Sequence, residues 1–328
     1  MNHKRFWVMA GIMLGAVLLS LCVGRYPLTL SDLWGILTGS DGGMGSRVFL
    51  QIRLPRTFLV LACGAALSIS GLVYQNIFRN PLVSPDVLGV TGGASVGAAA
   101  AILAGASAAA TAASAFGAGI FTVLVTVALA KAAGGQQKVT LLISGIVTGA
   151  LAGALLMMLK YLADPSQQLP SIEYWLMGSF HTSDWKDVGA AAPVIAASLF
   201  CLWLMRWKLQ LLVLGEEEAG SLGLPVGKVR LAGALLATLL AASVVSAAGA
   251  VSWIGLIVPH MIRRLFGDDL KRNFSLCAMG GGTFLLLADT LARSLTAAEI
   301  PVSILTSFAG ALLLALALAG RSRKGELL

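Results

Sequence analysis

The sequence predicts an all-α integral membrane protein with about ten transmembrane helices. Hydrophobic residues make up 57% of the chain and charged residues only 12%, whereas charged residues are about a quarter of an ordinary soluble domain. The mean hydropathy is +0.86. Long uncharged runs, near or above the roughly 20 residues that cross a bilayer core, alternate with short segments that carry basic residues. Together these features predict a single transmembrane domain over residues 1–328.

The amino-terminal half contains five predicted spans. Basic residues precede the first apolar run and no small-x-small cleavage site precedes Arg25, so an uncleaved helix is expected. Pro81 and Pro85 follow the second span and end it, because proline lacks an N–H and biases the preceding residue away from helix. The uncharged stretch 87–130 is too long for one crossing and predicts two helices. The five spans are 6–24, 57–78, two within 87–130, and 139–159.

The carboxyl-terminal half contains five more predicted spans. The stretch 231–262 is again longer than one crossing, and Gly249 and Pro259 within it predict a full span, a turn and a shorter returning helix. Earlier in this half, Tyr174 and Trp175 suit a short piece at the membrane interface. The five spans are 188–205, two within 231–262, 273–292 and 300–320.

The distribution of basic residues predicts that both termini lie in the cytoplasm. Most of the 23 lysines and arginines fall in loops that this orientation places inside, as the positive-inside rule requires. A weak internal repeat relates residues 71–80 to residues 255–264, which match at Gly, Leu and Arg positions. Internal repeats are common in multi-helix membrane proteins, although this match alone could arise by chance.

The sequence contains no recognisable catalytic, metal or nucleotide site. Its four cysteines and three histidines are far apart and lack metal-ligand spacing. The stretch 223–228 has the wrong spacing for a phosphate-binding loop, and Val229 follows it where Ser or Thr is required. The net charge of +8 is spread between apolar spans, which argues against nucleic-acid binding. We therefore expect no bound cofactor, no metal and no nucleic-acid partner.

Two groups of residues carry a family resemblance. The first comprises Arg-Leu-Pro-Arg at 53–56, Gly-Ala-Ala-Leu at 64–67, Gln75 and Arg-Asn-Pro-Leu at 79–82. The second comprises Trp-Ile-Gly-Leu-Ile-Val-Pro-His at 253–260, Asp289 with Arg293, and Glu-Ile-Pro-Val at 299–302. With these motifs the sequence resembles the FecCD-type permease subunits of ABC importers for iron-siderophores, haem and vitamin B12.

The resemblance implies a permease subunit of a binding-protein-dependent importer. Such a subunit would move a metal chelate, with iron-siderophore as the first candidate, across the cytoplasmic (inner) membrane by alternating access. A partner would use the ATP, so the chain is expected to be a multi-pass transport subunit and not an enzyme. The implied partners are a second permease, identical or paralogous, two ABC ATPases, a periplasmic or lipid-anchored substrate-binding protein, and membrane lipid.

An ion-gradient-driven secondary transporter is the alternative function. Transporters of that class need acidic groups near the membrane midplane and no ATPase. The predicted spans offer essentially only Asp289 for such a role. The scarcity of acids therefore favours the importer.

Arg53, Arg56 and Arg293 flank predicted helix ends on the outer side, where positive charge is normally scarce. They could anchor the protein at lipid headgroups. The resemblance implies instead that they dock acidic residues of the substrate-binding protein, within outer loops at about 25–56 and 293–299. The planar guanidinium suits that role because it pairs bidentately with carboxylates.

Asp289 precedes Arg293 by four residues, so both lie on one helical face. A lone carboxylate at the centre of a span costs about 2.5–3.5 kcal/mol on insertion scales, so we expect Asp289 to pair with Arg293. A proton relay is the other interpretation, but relays use several buried acids.

An acidic segment at about 208–227 lies between two spans on the predicted inner side. Its charge run could be a solvated loop. The resemblance implies that it is a coupling segment, which contacts the ATPase subunit. The contact residues would be Glu216, Glu217, Glu218, Ala219, Ser221, Leu222, Gly223 and Leu224.

Gly145, Gly149 and Gly153 recur every four residues, which places them on one face of the fifth span and predicts close helix packing. The resemblance implies that this helix also lines the translocation path. The last span departs from the family, because residues 308–312 lack the usual Gly-x-Pro-Phe type turn. A straighter final helix is therefore expected.

Overall fold

The computed structural model describes residues 3–24, 26–39, 43–134, 138–296 and 298–322, and over these residues the fold is helical, without strands. Arg25, at the start of a predicted outer loop, and the basic residues 323 and 324 lie outside the described residues. The helices are α1 His3–Cys22, α2 Leu30–Leu37, α3 Met44–Arg47, α4 Leu54–Phe78, α5 Val90–Leu103, α6 Ala108–Ala132, α7 Lys138–Leu162, α8 Gln168–Leu176, α9 Trp185–Leu211, α10 Glu216–Ser221, α11 Val226–Ala248, α12 Ile254–Phe266, α13 Leu270–Ala292 and α14 Val302–Ser322.

Seven helical stretches among the described residues are long and apolar enough to cross a membrane. They are α1, the continuous stretch 44–78 that includes α4, α6, α7, α9, α11 and α13. The shorter α5 and the first part of α14 are also apolar. The predicted division of 87–130 into two helices is confirmed by α5 and α6, and that of 231–262 by α11 and α12. The all-α membrane fold is therefore confirmed.

The segment before α4 differs from the expected outer loop. The helix that contains α4 begins at Met44, through α3 and a π-helical turn over Val48–Arg53, and continues to Phe78. The wider turn lies immediately before Pro55, which has no N–H to donate to the helix. Sequence reasoning placed the start at residue 57 because charged Arg53 and Arg56 interrupt the apolar pattern.

The short helix α2 is held by a capping box. The Thr29 hydroxyl accepts from the backbone N–H of Asp32, and the Asp32 carboxylate accepts from the backbone N–H of Thr29 at 2.7 Å. The bond from the Thr29 N–H, together with one that the Thr29 hydroxyl donates to the same carboxylate at 2.8 Å, lowers the pKa of Asp32 because both favour its charged form. The helix packs Leu33 and Ile36 against Leu21 and Phe49, so it lies across the end of α1.

Helix α4 lies at the centre of the fold and packs against α13, α11, α12 and α9. Glycines allow its backbone to approach its neighbours: a Cβ added at Gly64 would lie 2.3 Å from the Gly281 oxygen of α13. Hydrogen bonds add to this packing on the α11 side. Ser70 donates to the carbonyl of Ala237 at 2.8 Å, and the Tyr74 hydroxyl lies 2.7 Å from that of Thr238. Helices α4 and α11 are thus joined by both packing and polar contacts.

Replacing Gly71 by alanine should destabilise the protein. An added Cβ would lie 1.7 Å from the carbonyl oxygen of Gly255 in α12, so the two backbones would have to separate. Overpacking of this kind costs about 1–3 kcal/mol, and we expect a lower thermal unfolding midpoint for purified Gly71→Ala. Gly117→Ala in α6 is the matched control, since nothing lies within 4 Å of the added methyl group. Equal midpoints for the two variants would contradict the close packing of α4 on α12.

Candidate functional site

The amino-terminal end of α4, on the predicted outer side, carries a buried ionic cluster, which we call the outer ionic cluster and define as Arg56, Asp289 and Glu299. The Arg56 Nε lies 3.1 Å from both carboxylate oxygens of Asp289, and its Nη2 lies 2.7 Å from Asp289 Oδ1. On its other edge, Nη1 and Nη2 donate to Glu299 at 3.1 and 2.9 Å. One guanidinium therefore binds two carboxylates, each through two oxygens, which is the geometry that arginine favours.

Arg53 and Arg293 bind the end of α1. The Arg53 guanidinium donates to the carbonyl oxygens of Leu21, Cys22 and Tyr26, the contact with Cys22 being 2.9 Å. Arg293 donates to the carbonyl and the hydroxyl of Ser20, the hydroxyl at 2.9 Å. The last carbonyls of a helix have no intrahelical partners and carry partial negative charge, so cations stabilise them. These two arginines therefore have a structural role at the carboxyl end of α1.

The three arginines predicted to dock a binding protein are buried. Arg53 is 3% exposed, Arg56 6% and Arg293 7%. Their guanidinium groups already have partners within the subunit, and among these partners Glu299 is a partly exposed carboxylate. Docking through these residues stays a prediction. Sequence reasoning noted Glu299 only as part of a family motif and gave it no role of its own, although it is the only carboxylate between the last two spans.

Arg293, the expected partner of Asp289, is the more distant of the two arginines that lie near this carboxylate. Arg293 Nε lies 3.9 Å from Asp289 Oδ2, whereas Arg56 approaches Asp289 to 2.7 Å. The spacing of four residues correctly placed Arg293 nearby, but the closer partner comes from another helix. Asp289 is 1% exposed on its side chain, so leaving it unpaired would cost several kcal/mol.

The predicted coupling segment contains the short helix α10. Glu216 accepts from Arg230 of α11 at 2.6 Å, which ties the segment to that helix. Ala219 and Leu224 are buried against the core, while Glu217, Glu218, Ser221, Leu222 and Gly223 are exposed. Leu222 is 64% exposed. The segment therefore presents exposed apolar side chains, Leu214 and Leu222, beside acidic groups. Arg230 is a residue that sequence reasoning did not single out.

The glycine stripe of α7 packs most closely at Gly145, its first member. A Cβ at Gly145 would lie 2.1 Å from the carbonyl oxygen of Val87, so the chain before α5 contacts α7 there. Gly149 lies near Gly89, since a Cβ on Gly89 would come within 3.3 Å of the Gly149 nitrogen. A Cβ at Gly153 would meet nothing within 4 Å. Close packing therefore explains why position 145 and, in part, position 149 are glycine, but it does not explain the glycine at position 153.

A cavity of about 240 Å³ lies where two helices are interrupted. It is lined by residues before and at the start of α5, by the segment before α12, and by α4 and α11. Asp86 Oδ1 in its wall accepts the N–H of Thr91 at 3.0 Å, so it caps the first turn of α5. Trp253, also in the wall, adopts φ +74°, a region that costs a non-glycine residue about 1–3 kcal/mol. Among the described residues, no group of three or more His, Cys, Asp or Glu is placed to hold a metal.

Comparison with known proteins identifies the family. Residues 12–319 match the FecCD transport family. The chain is 36% identical to the molybdate import system permease protein MolB of Haemophilus influenzae, over 89% of this chain and 88% of that protein. It is 35% identical to the hemin transport system permease protein HmuU of Yersinia pestis, over 91% and 92%. It is 36% identical to the vitamin B12 import system permease protein BtuC of Shigella boydii, over 94% and 93%.

A solved structure agrees with these sequence matches. A structure described as an inward-facing conformation of a metal-chelate type ABC transporter superposes with a TM-score of 0.88, at 34% identity, over 97% of this chain and all of that one. The same helical arrangement is therefore shared along the whole length. The chain belongs to the FecCD transport family and is a multi-pass membrane permease of an ABC importer.

Proposed function

We propose that this permease carries a metal chelate into the cell, with an iron-siderophore as the first candidate. The observation that carries the proposal is the superposition, at a TM-score of 0.88, on a transporter described as being of the metal-chelate type. Relatives at similar identity are named for molybdate, vitamin B12, haemin and iron chelatin. Three of those four cargoes are metals held in large organic ligands, which supports a chelate over a bare oxyanion.

The family works with ATPase subunits, a substrate-binding protein and a second permease. We infer that ATP is used by the partner ATPase and that this chain contributes the path. A second permease would cover the apolar faces of α7 and α14, where Leu151, Leu155 and Met158 of α7 and Phe308 and Leu312 of α14 are exposed. Identical or paralogous partners are both compatible with these faces. The translocation path would then lie between the two subunits.

Alternating access by rigid-body rocking needs surfaces that partners can move. The coupling segment around α10 supports this role on the inner side, because its exposed Leu222 directly follows α10, which is tied to α11 through Glu216 and Arg230. An ATPase that binds Leu222 would pull on α11 through that ion pair. On the outer side, the binding protein would act at the outer ionic cluster.

Uptake into liposomes tests the transport function. The chain is reconstituted with its ATPase and binding protein, and uptake of ferric siderophore, haemin, cobalamin and molybdate is compared with and without ATP. We expect ATP-dependent uptake that needs all three components, with ferric siderophore preferred. A preference for molybdate would be consistent with an importer but would overturn the proposal that the cargo is a metal chelate. Uptake by the chain alone, driven by a proton or sodium gradient, would refute the ATP-driven importer function and favour a secondary transporter.

Replacing Leu222 by serine should weaken binding of the ATPase. Burying a leucine side chain is worth about 1.5–3 kcal/mol, so the dissociation constant should rise roughly tenfold or more. The measurement is ATPase binding to the permease in nanodiscs without binding protein. Leu295→Ser is the matched control, because Leu295 is similarly exposed but follows α13 at the opposite end of the helices. Equal losses for the two variants would contradict a coupling role for Leu222.

A further inference from the structure

We propose that the cavity beside Asp86 is a contact site for a positively charged group of the cargo, such as an ammonium carried by the chelating ligand. Asp86 supplies the negative charge, and the indole of Trp253 supplies an aromatic surface in the same wall. The inference rests on the proposed function and deepens it, because it names a chemical feature of the chelate that this permease favours.

Asp86 lies at the depth of the middle of the helices, although it follows the end of α4 in sequence. The cavity that it lines also contacts Leu67, which is close to the midpoint of α4 (Leu54–Phe78). The preceding residue, Pro85, packs so tightly on α12 that a Cβ added at Gly255 would overlap its ring, and Gly255 in turn packs on Gly71 of α4. Residues 79–89 therefore fold back into the bundle and carry Asp86 away from the membrane surface.

The carboxylate of Asp86 has no cationic partner among the residues that the structure describes. None of the ion pairs formed by those residues involves it. Its carboxylate accepts the N–H of Thr91, and its side chain is exposed, as is that of Ser252 in the same wall. Ionisable groups within a membrane span are costly and face a partner or a wet cavity. A cation that enters this cavity would therefore pair with Asp86.

The cavity lies between the two helices whose exposed apolar faces a second permease would cover. On one side, the residue after Asp86 is Val87, which contacts α7 at Gly145. On the other side, Trp253 contacts α14 at Gly310, where an added Cβ would lie 2.7 Å from the Trp253 Cβ. A path between the two subunits would therefore pass the open side of the cavity, where Asp86 is exposed.

The size and lining of the cavity fit an appendage of the cargo better than a whole chelate. Sites for complete small-molecule ligands have about 300–1,000 Å³, whereas this cavity has about 240 Å³. A carboxylate accepts strong charge-assisted hydrogen bonds from an ammonium group, and an indole face attracts organic cations. The hydroxyls of Ser84, Thr91 and Ser252 add further acceptors, and the remaining wall is largely apolar, which suits an alkyl chain. An oxyanion would be repelled by the same carboxylate.

The test compares two probes that differ in one charge. They are a ferric trihydroxamate with a terminal ammonium group and the same chelate with that amine acetylated. Each probe is loaded on the wild-type binding protein, and the initial rate of ATP-dependent uptake into liposomes is measured with the complete transporter. We expect Asp86→Asn to lower uptake of the ammonium probe about three- to tenfold and that of the acetylated probe by less than about twofold, because only the first loses an ionic partner.

The substitution is chosen to keep the local fold. Asparagine can accept the N–H of Thr91 in place of the aspartate, and it caps helices equally well, so α5 keeps its start. Asp86→Ser also provides a capping oxygen without charge and should behave like Asp86→Asn. Asp32→Asn is the matched control, because Asp32 likewise accepts a backbone N–H at the start of a helix but lies at α2. We expect Asp32→Asn to leave the ratio of the two uptake rates unchanged.

The ratio of the two uptake rates decides the outcome. An equal fall for both probes in Asp86→Asn and in Asp86→Ser would overturn the inference, because it would indicate a structural role or a bound inorganic cation. Unchanged uptake of the ammonium probe in both variants would also overturn it. If the wild-type transporter takes up neither probe, the iron-siderophore proposal itself fails, and the inference fails with it.

Discussion

The fold depends most on keeping the charge of Arg56 paired within a largely apolar helix bundle. A single buried guanidinium joins α4 to α13 through Asp289 and to the segment before α14 through Glu299. Buried ion pairs contribute little net stability against apolar replacements, but breaking one is costly. The cluster therefore acts mainly to fix the relative positions of three parts of the chain that are far apart in sequence, and we call this constraint the ionic register. Arg53 and Arg293 extend this register to α1 by capping its last turn.

The remaining packing follows from that register and from small residues. With α4 fixed at its amino-terminal end, Gly64 and Gly71 allow backbone contact with α13 and α12 further along the helix. In a membrane, where lipid offers no hydrophobic gain for helix association, such close contact and interhelical hydrogen bonds provide the attraction. This explains why α4 is the most buried span, whereas α6, α7 and α9 keep most of their surface free for lipid or partner subunits.

Sequence reasoning predicted the spans well and the site only in part. Hydropathy identifies uncharged runs, so the positions of α5, α6, α11 and α12 followed directly from residues 87–130 and 231–262. Hydropathy could not show that the helix containing α4 begins at Met44. Charged residues such as Arg53 and Arg56 are typical of a loop unless they have buried partners, and those partners are not visible in the sequence. The partners of Arg56 are Asp289 and Glu299, from the other end of the chain, and those of Arg53 are carbonyl oxygens near the end of α1. Only the folded structure brings these groups together. Asp289 was linked to Arg293 because spacing of four is visible in sequence and contact between distant helices is not.

The predicted outer and inner surfaces are connected through the helix pair α4 and α11. Helix α4 carries Arg56 at its amino-terminal end, and α11 carries Arg230, which holds α10 through Glu216. Between them, Ser70 and Tyr74 of α4 bond to α11, and Gly233 of α11 lies against Ile77 of α4. Buried polar contacts of this kind resist sliding, because separating them would leave hydrogen-bonding groups unpaired away from water. A force applied at α10 therefore moves α11 and α4 together, and the ionic register at Arg56 carries that movement to α13 and to the segment that precedes α14.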